Sequence, residues 1–520
     1  MELFVTGAAA VFQPQVLLLM VGGVLLGLTF GSIPGISATT GMILLLPLTF
    51  FLPPLQGVML LIAIWLSGTY AGSIPAIVLN IPGTAASVAT AIDGYALSQQ
   101  GQAPRALRAS IVGSVFGGLV SAVALVFFSP PLAELALQFR PPEMFAFALF
   151  GMTIIVSLSS GALARGALAG VLGMLLASVG FGPAGTARFA YSVNLLDGFP
   201  IVVILIGLFT FPQILELLQK GAITISQVGQ ADARSVEPMD RLYLLRARDF
   251  ARHGLNLLRS AVIGVVVGIL PGSGPTVAGF VGYSEAKRAS KDKDSFGKGN
   301  IDGVISAETA NNASILSSLI PTLTLAIPGS VVAVIVLAAL QMHGIVAGPR
   351  LFQQSGDLVA AIFIGVFVVQ FVLLAAGLTL GRFIALITRV PVNVLTPIVF
   401  AMALAGAYSV RNNVWDVIVA TFIGFVGYGL HLLRIPLSPL ILAAILGPIV
   451  ERNWYLTYQL YSDDWGRLAT RPIFLLLMGL TVLTLLVSTI REARTNRRMA
   501  SIHSKGTGTD PARIDQEIDG

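Results

Sequence analysis

The 520-residue chain has no cysteine and little charge. Without cysteine there is no disulfide and no thiolate metal site. Asp, Glu, Lys and Arg make up 11% of the residues, against about 25% in soluble domains. From Leu3 to Ile92 there is none of the four. A stretch that long cannot be one soluble core; it has to be several membrane passes joined by uncharged turns. A basic n-region of a cleavable signal peptide is also missing, so the N-terminus is read as part of the mature fold. There is no Walker A pattern: Phe296-Gly297-Lys298-Gly299 lacks the spacing and the following Ser or Thr. Energy then comes from an ion gradient, or from an ATPase on another chain. Ser/His/Asp, His-Glu-x-x-His and paired-carboxylate motifs are absent, and His253, His343, His431 and His503 are scattered. The sequence therefore speaks against an enzyme.

What is present is hydrophobic. Apolar residues make up 55% of the chain, in continuous runs that do not alternate. The pattern predicts an all-α polytopic integral membrane protein and not a β-barrel. Segments fall near 16–31, 38–52, 58–80, 109–128, 144–160, 166–180 and 200–218 in a first half. In a second half they fall near 257–284, 304–326, 330–343, 358–380, 394–409, 414–431, 436–450 and 472–490. Several are shorter than the ~20 residues a crossing needs, which predicts half-helices or re-entrant hairpins. The net charge of +6 is gathered in loops 95–108 and 286–298, a polar stretch 220–256 and the tail. That is the positive-inside pattern of cytoplasmic loops, not a nucleic-acid surface. The division is a first membrane repeat 1–219, a cytoplasmic linker 220–256, a second membrane repeat 257–498 and a disordered cytoplasmic tail 499–520.

One signature occurs twice in each half. Apolar segments break at Ile33-Pro34-Gly35 and Ile81-Pro82-Gly83, then at Leu270-Pro271-Gly272 and Ile327-Pro328-Gly329. Proline removes a backbone donor and glycine weakens helix. Freed backbone groups are tolerated at membrane depth only inside protein or along a cavity. Paired breaks in two halves point to a transporter's binding site. The offset from Pro34 to Pro271 is 237 residues and from Pro82 to Pro328 it is 246, so the second half carries nine extra residues, placed in loop 286–298. After the first break the basic loop is in the second half, and after the second break it is in the first. A basic side that swaps predicts inverted-topology repeats.

Small polar residues flank the breaks: Ser37, Asn80, Thr84, Ser273 and Ser330 among them. A helix restarting after Pro-Gly offers free N–H groups and a positive dipole end, which suit a carboxylate. Carbonyls that end the preceding helix, with Asn and Ser oxygens, suit sodium. The competing reading is a set of hinges or packing kinks. A second cluster runs from Ser306 to Ser314. Glu308, Asn311 and Asn312 lie at i, i+3 and i+4, on one helix face. They form a cation or substrate site if they face the bundle interior, or Glu308 is solvated near the membrane surface. Asp93 is an ion-coupling carboxylate, a cap of the half-helix end or an interfacial turn residue, and His343 a proton relay or an interfacial side chain.

At these motifs the chain resembles the large membrane subunit of the tripartite tricarboxylate transporters. The stretches are Gly31 to Ile36, Leu46 to Thr49, Gly68 to Ser73, Leu79 to Thr84 and Asp93-Gly94 in the first half. In the second half they are Leu270 to Ser273, Phe296 to Gly299, Glu308 to Ala313, Ile320 to Thr322, Ile327 to Ser330 and His343-Gly344. The resemblance implies a secondary active importer of the bacterial inner membrane, with an inner unit moving elevator-like past a scaffold. It implies two partners, a small four-helix membrane subunit and a periplasmic substrate-binding protein. It implies di- or tricarboxylate substrates such as citrate, and symport with sodium or protons as the coupling ion; no cofactor is expected. The substrate site is expected at Pro34, Gly35, Ser37, Asn80, Pro82, Gly83, Thr84, Pro271, Gly272, Ser273, Asn311, Asn312, Pro328, Gly329 and Ser330. Ion coupling is expected among Asn80, Asp93, Glu308, Asn311, Asn312 and Ser314. The alternative function is an ion antiporter or channel.

Overall fold

The computed structural model describes residues 2–33, 37–157, 163–220, 247–272, 274–387 and 392–505. These form an α-helical protein with one two-stranded ribbon, Gly180–Phe181 against Ala187–Arg188. In the first half come α1 (Glu2–Val11), α2 (Pro14–Ser32), α3 (Ala38–Thr49), α4 (Pro54–Ala71), α5 (Ser73–Leu79) and α6 (Val88–Gln99). They are followed by α7 (Ala103–Ala136), α8 (Pro141–Ser157), α9 (Leu163–Ala177), α10 (Ile201–Leu205) and α11 (Phe211–Lys220), with a π-helical turn Ile206–Thr210 joining the last two. The second half opens with α12 (Ala247–Ile269), α13 (Gly274–Ala289), α14 (Ile301–Leu325) and α15 (Ala333–Met342). Then come α16 (Pro349–Gln354), α17 (Gly356–Ile387), α18 (Val392–Ser409), α19 (Val414–Leu432), α20 (Leu437–Tyr461) and α21 (Pro472–Lys505).

Among the described residues, six helices are long and apolar enough to cross a membrane: Pro14–Ser32, Pro54–Leu79, Ala103–Ala136, Gly356–Leu380, Val414–Leu432 and Pro472–Ile490. The chain is thus a multi-pass helical membrane protein. The apolar run near 257–284 is two helices, because the chain turns at Leu270 to Gly272. Helix α12 starts at Ala247, inside the polar stretch 220–256, and α21 continues to Lys505.

Helix starts follow local chemistry. Pro14 and Pro54 open α2 and α4, where a missing N–H costs nothing. Ser37 caps α3, and the Asn300 side chain caps α14 by accepting from the Asp302 N–H at 2.8 Å. Ion pairs hold the periphery: Arg471 binds the buried Glu143 at 2.7 Å and ties α21 to α8, and Arg188 joins Glu451.

The centre is built from close helix pairs. Lipid tails are as apolar as leucine, so helices in a membrane associate mainly through packing and small residues. Helix α2 lies on α4 through Gly23 and Gly27; a Cβ on Gly27 would lie 2.1 Å from Ser67 Oγ and 2.4 Å from the Ile64 carbonyl. Helix α12 lies on α14 through Gly264 and Gly268; a Cβ on Gly268 would lie 2.1 Å from Ser317 Oγ and 2.4 Å from the Ser314 carbonyl. The two pairs are near copies, contact for contact. Helix α7 approaches α14 from another side, where a Cβ on Gly117 would lie 2.2 Å from the Thr309 carbonyl. Gly282 of α13 closes on Ala310. All of α14 except Asp302 is buried.

Replacing Gly117 by Ala should therefore lower stability by about 1–3 kcal/mol, since overpacking against backbone outweighs the roughly 1 kcal/mol gained in helix propensity. Gly22→Ala, with no heavy atom within 4 Å of the new methyl, should be neutral or stabilising. Thermal unfolding of the two variants in detergent, followed by size exclusion, checks the contrast.

Candidate functional site

The second and fourth breaks are built alike. Helix α5 ends at Asn80, in the left-handed region at φ 55°, and α14 ends at Ala326, at φ 57°. The Ile81 N–H reaches back to the Pro75 carbonyl at 3.3 Å, and the Ile327 N–H to the Pro321 carbonyl at 3.3 Å. The chain then steps back beside the helix it has left. The Gly83 N–H donates to the Gly72 carbonyl at 3.0 Å, and Gly329 packs on Ser318, eleven residues earlier in each case. Glycine is required at both steps: a Cβ on Gly83 would lie 2.5 Å from the Gly31 carbonyl, and one on Gly329 would lie 2.6 Å from the Ser318 carbonyl.

The breaks meet in pairs. Gly83 touches Gly31, in the last turn of α2 just before the first break. The Gly272 N–H donates to the Gly329 carbonyl at 2.9 Å, joining the third break to the fourth. Pro271, Pro328, Gly329 and Ser330 are buried, whereas Pro82, Gly83 and Thr84 are half-buried and Asn80 is exposed. Thr84 and Ser87 form a reciprocal capping box. The Ser330 hydroxyl lies 3.4 Å from that of Ser318 and caps Ala333. Pro34, Gly35 and Ser273 lie outside the described residues. Ser37 sits beside Thr40, which hydrogen-bonds Gln213 of α11.

The polar cluster on α14 lies in the interior. Glu308 is wholly buried, and its carboxylate is surrounded by hydroxyls of the first half. The Ser73 hydroxyl of α5 and the Thr90 hydroxyl of α6 donate to Oε1, the latter at 2.5 Å; Ser114 of α7 donates to Oε2 at 2.7 Å. Asn312 Nδ2 donates to Ser114 Oγ at 3.0 Å and to the Glu308 carbonyl at 3.1 Å. Three hydroxyls and an amide replace water around this carboxylate, as a buried charge requires. Ser314 bonds the Asn311 carbonyl of its own helix at 2.7 Å. Asn311 itself is wholly buried, and neither its Oδ1 nor its Nδ2 has a partner among the described residues. By helical spacing it shares a stripe with Ala307, Ser314 and Ser318. At one end of that stripe Ala307 lies against Gly279 of α13, which also faces Ala86 after the second break; at the other end Ser318 lies against Gly329.

Asp93 stands apart from this cluster. It is buried on α6 and takes its bonds from Tyr283 and from the loop before α14. His343 lies against the first turn of α4, with Nε2 3.5 Å from where a Gly57 Cβ would be. A cavity of about 770 Å³ lies elsewhere, between the 179–200 loop and α20, lined by Phe181, Asp197, Phe199, Glu451, Arg452 and Tyr455. None of its walls belongs to a break.

Sequence reading found the breaks and Glu308, Asn311 and Asn312, but not Ser73, Thr90 or Ser114. Ser73 sits inside a motif already singled out, Gly68 to Ser73. The other two are ordinary hydroxyls far from Glu308 in sequence, and only the fold brings them to it.

A multi-pass helical membrane protein with paired helix breaks around a polar, buried helix is the class this architecture defines. The chain belongs to the tripartite tricarboxylate transporter TctA family, whose pattern matches residues 17–442. It is 33% identical over 478 residues to an uncharacterized 52.8 kDa protein of Agrobacterium vitis encoded in the TAR-I ttuC' 3' region, covering 91% of this chain and 93% of that one. It is 32% identical over 235 residues to a second uncharacterized protein of that organism, from the TAR-II ttuC' 3' region, covering 45% of this chain and 97% of that one. No solved structure matches the chain significantly.

Glu308→Ala should destabilise the fold by at least about 2 kcal/mol, because it leaves three buried hydroxyls without their acceptor. Glu308→Gln keeps an acceptor and should cost less than half as much. The unfolding midpoints of the two purified variants test this.

Proposed function

We propose that this chain is the large membrane subunit of a secondary active carboxylate importer of the bacterial inner membrane. Di- and tricarboxylates such as citrate are its substrate class, sodium or protons its coupling ion. A periplasmic binding protein delivers the substrate and a small four-helix membrane subunit completes the complex. The observation that carries the reading is Asn311: a buried amide with no partner among the described residues, on a helix stripe that runs between the second and fourth breaks. An amide offers both a donor for a carboxylate and an acceptor for a cation. Seven residues separate Asn311 from Ser318, so it lies about 10 Å along α14 from the fourth break. The positive dipole ends of the restarting helices favour an anion without a buried arginine.

Two observations support inverted repeats. The first is the duplicated packing of α2 on α4 and of α12 on α14, with matched break geometry. The second is sidedness. The first turn of α4, next to the loop after α3, abuts His343, while the loop after α13 bonds to the end of α6, where the capping Gln100 donates from Nε2 to the Lys298 carbonyl at 2.7 Å. Helices α4 and α5 together run 26 residues, about 39 Å at 1.5 Å per residue, between those loops. The corresponding loops of the two halves then lie at opposite ends of one crossing. Inverted repeats of this kind support an elevator-like movement of the break-bearing unit past a scaffold.

The test is uptake of labelled citrate into proteoliposomes holding this chain and its small partner, with and without the binding protein, under imposed sodium or proton gradients. Gradient-driven accumulation that needs the binding protein supports the proposal; equilibration without a gradient replaces it with a channel. Asn311→Ala and Asn80→Ala should reduce uptake at least about tenfold, the effect of losing one hydrogen bond to a charged ligand, with normal membrane insertion. Asn80→Ala is informative because Ala326 already holds the same left-handed cap, so the backbone accepts alanine there.

A further inference from the structure

The Asp93 carboxylate has an unusual set of donors. Its Oδ1 accepts three backbone N–H groups from one loop: Gly297 at 2.8 Å, Gly299 at 2.9 Å and Asn300 at 2.8 Å. Its Oδ2 accepts the Tyr283 hydroxyl at 2.9 Å. Asp93 is wholly buried, and all four of these donors are neutral. Asp93 belongs to α6 of the first half; every donor belongs to the second.

The loop is shaped for this. Gly297 and Gly299 have φ of 84° and 102°, values that side-chain-bearing residues rarely adopt. Alternating them with ordinary residues turns N–H groups inward to form a concave anion cradle. Gly303 completes it: a Cβ there would lie 2.2 Å from Asp93 Oδ2 and 2.8 Å from the Tyr283 ring. The Phe296 ring stands edge-on to Tyr283 at 5.6 Å, and both pack with Ala89, Ala286 and Ala307 in a small core separate from the main one. Asn300 closes the loop by bonding Ser295 at 2.7 Å while capping α14.

We propose that the Phe296–Asn300 loop is an anion-binding cradle whose resident occupant is Asp93, and that this bound carboxylate latches α6 onto the second half. Thr90 and Asp93 lie three residues apart on α6, so the latch also keeps Thr90 on Glu308. Emptied of Asp93, the cradle accepts a free carboxylate of formate size. The inference goes beyond the transport reading and requires neither a substrate nor a coupling ion.

Hydrogen exchange of the purified full-length chain tests it. In Asp93→Ala the amides of Gly297, Gly299 and Asn300 should exchange at least about tenfold faster than in the wild type, as expected for loss of charge-assisted bonds. Excess sodium formate should restore slow exchange, and sodium chloride at equal ionic strength should not. If Asp93→Ala does not fold, Asp93→Asn, with a neutral acceptor of the same shape, should show the same acceleration in part. Unchanged exchange in a folded variant, or equal effects of formate and chloride, would overturn the cradle. Neither result depends on uptake, so failure here leaves the transport reading to its own test.

Discussion

A carboxylate inside a membrane protein must be surrounded by donors, and Glu308 finds three of its own in the other half of the chain. Ser73, Thr90 and Ser114 each come from a different helix of the first half, while Glu308 belongs to α14 of the second. Leaving the charge unsolvated would cost far more than any single packing contact returns. The arrangement therefore fixes where α5, α6 and α7 stand relative to α14. Asp93 answers it in the opposite direction, a first-half carboxylate held by second-half backbone amides and the Tyr283 hydroxyl. At the centre each half thus places one buried carboxylate in the other, and at the periphery a third, Glu143 of the first half, is held by Arg471 of the second.

Glycine makes those approaches possible. Gly23 and Gly27, Gly264 and Gly268, and Gly113 and Gly117 bring helices to backbone distance around α4 and α14. At these seams there is no room for large side chains, and the residues that face the glycines are mostly Ser, Thr and Ala. Hydroxyls already bonded to their own helix carbonyls, such as Ser317 to Ala313 at 2.8 Å, add little polarity. Those left over are available to a ligand or a carboxylate. The same economy explains the breaks. After each left-handed cap the chain returns along its own helix, so the restarting segment brings its N–H groups to the level of Gly72 or Ser318 and not beyond them.

Much of this is legible in the sequence. The uncharged stretch from Leu3 to Ile92 requires a membrane protein, and Pro-Gly at 82–83 and 328–329 marks where helices end. The offsets of 237 and 246 residues point to a nine-residue difference between halves. The glycine contacts carry the same difference, since Gly27 and Gly268 are 241 residues apart whereas Ser67 and Ser317 are 250 apart. Between Ser67 and Pro75 the first half has one more turn than the second has between Ser317 and Pro321, which no periodicity argument isolates because both runs are continuously apolar. The spacing of Glu308, Asn311 and Asn312 gives a shared face but not what that face meets. Whether Glu308 is solvated or buried depends on residues near positions 73, 90 and 114, brought to it by tertiary packing. Asp93 is misleading for a related reason: a lone acid beside a basic loop reads as interfacial, whereas three of its four partners are backbone amides, which leave no trace in side-chain chemistry.

The account rests on two halves inserted in opposite senses and interlocked through buried carboxylates. The absence of cysteine makes a direct test available, since any introduced thiol is the only one. Single cysteines at Phe51 and Ser290, in the corresponding loops of the two halves, would be labelled with a membrane-impermeant maleimide in intact and in permeabilised cells. Opposite insertion predicts that Phe51→Cys reacts from outside and Ser290→Cys only after permeabilisation. Labelling of both from the same side would contradict the inverted arrangement, and with it the assignment of the breaks to one shared transport site.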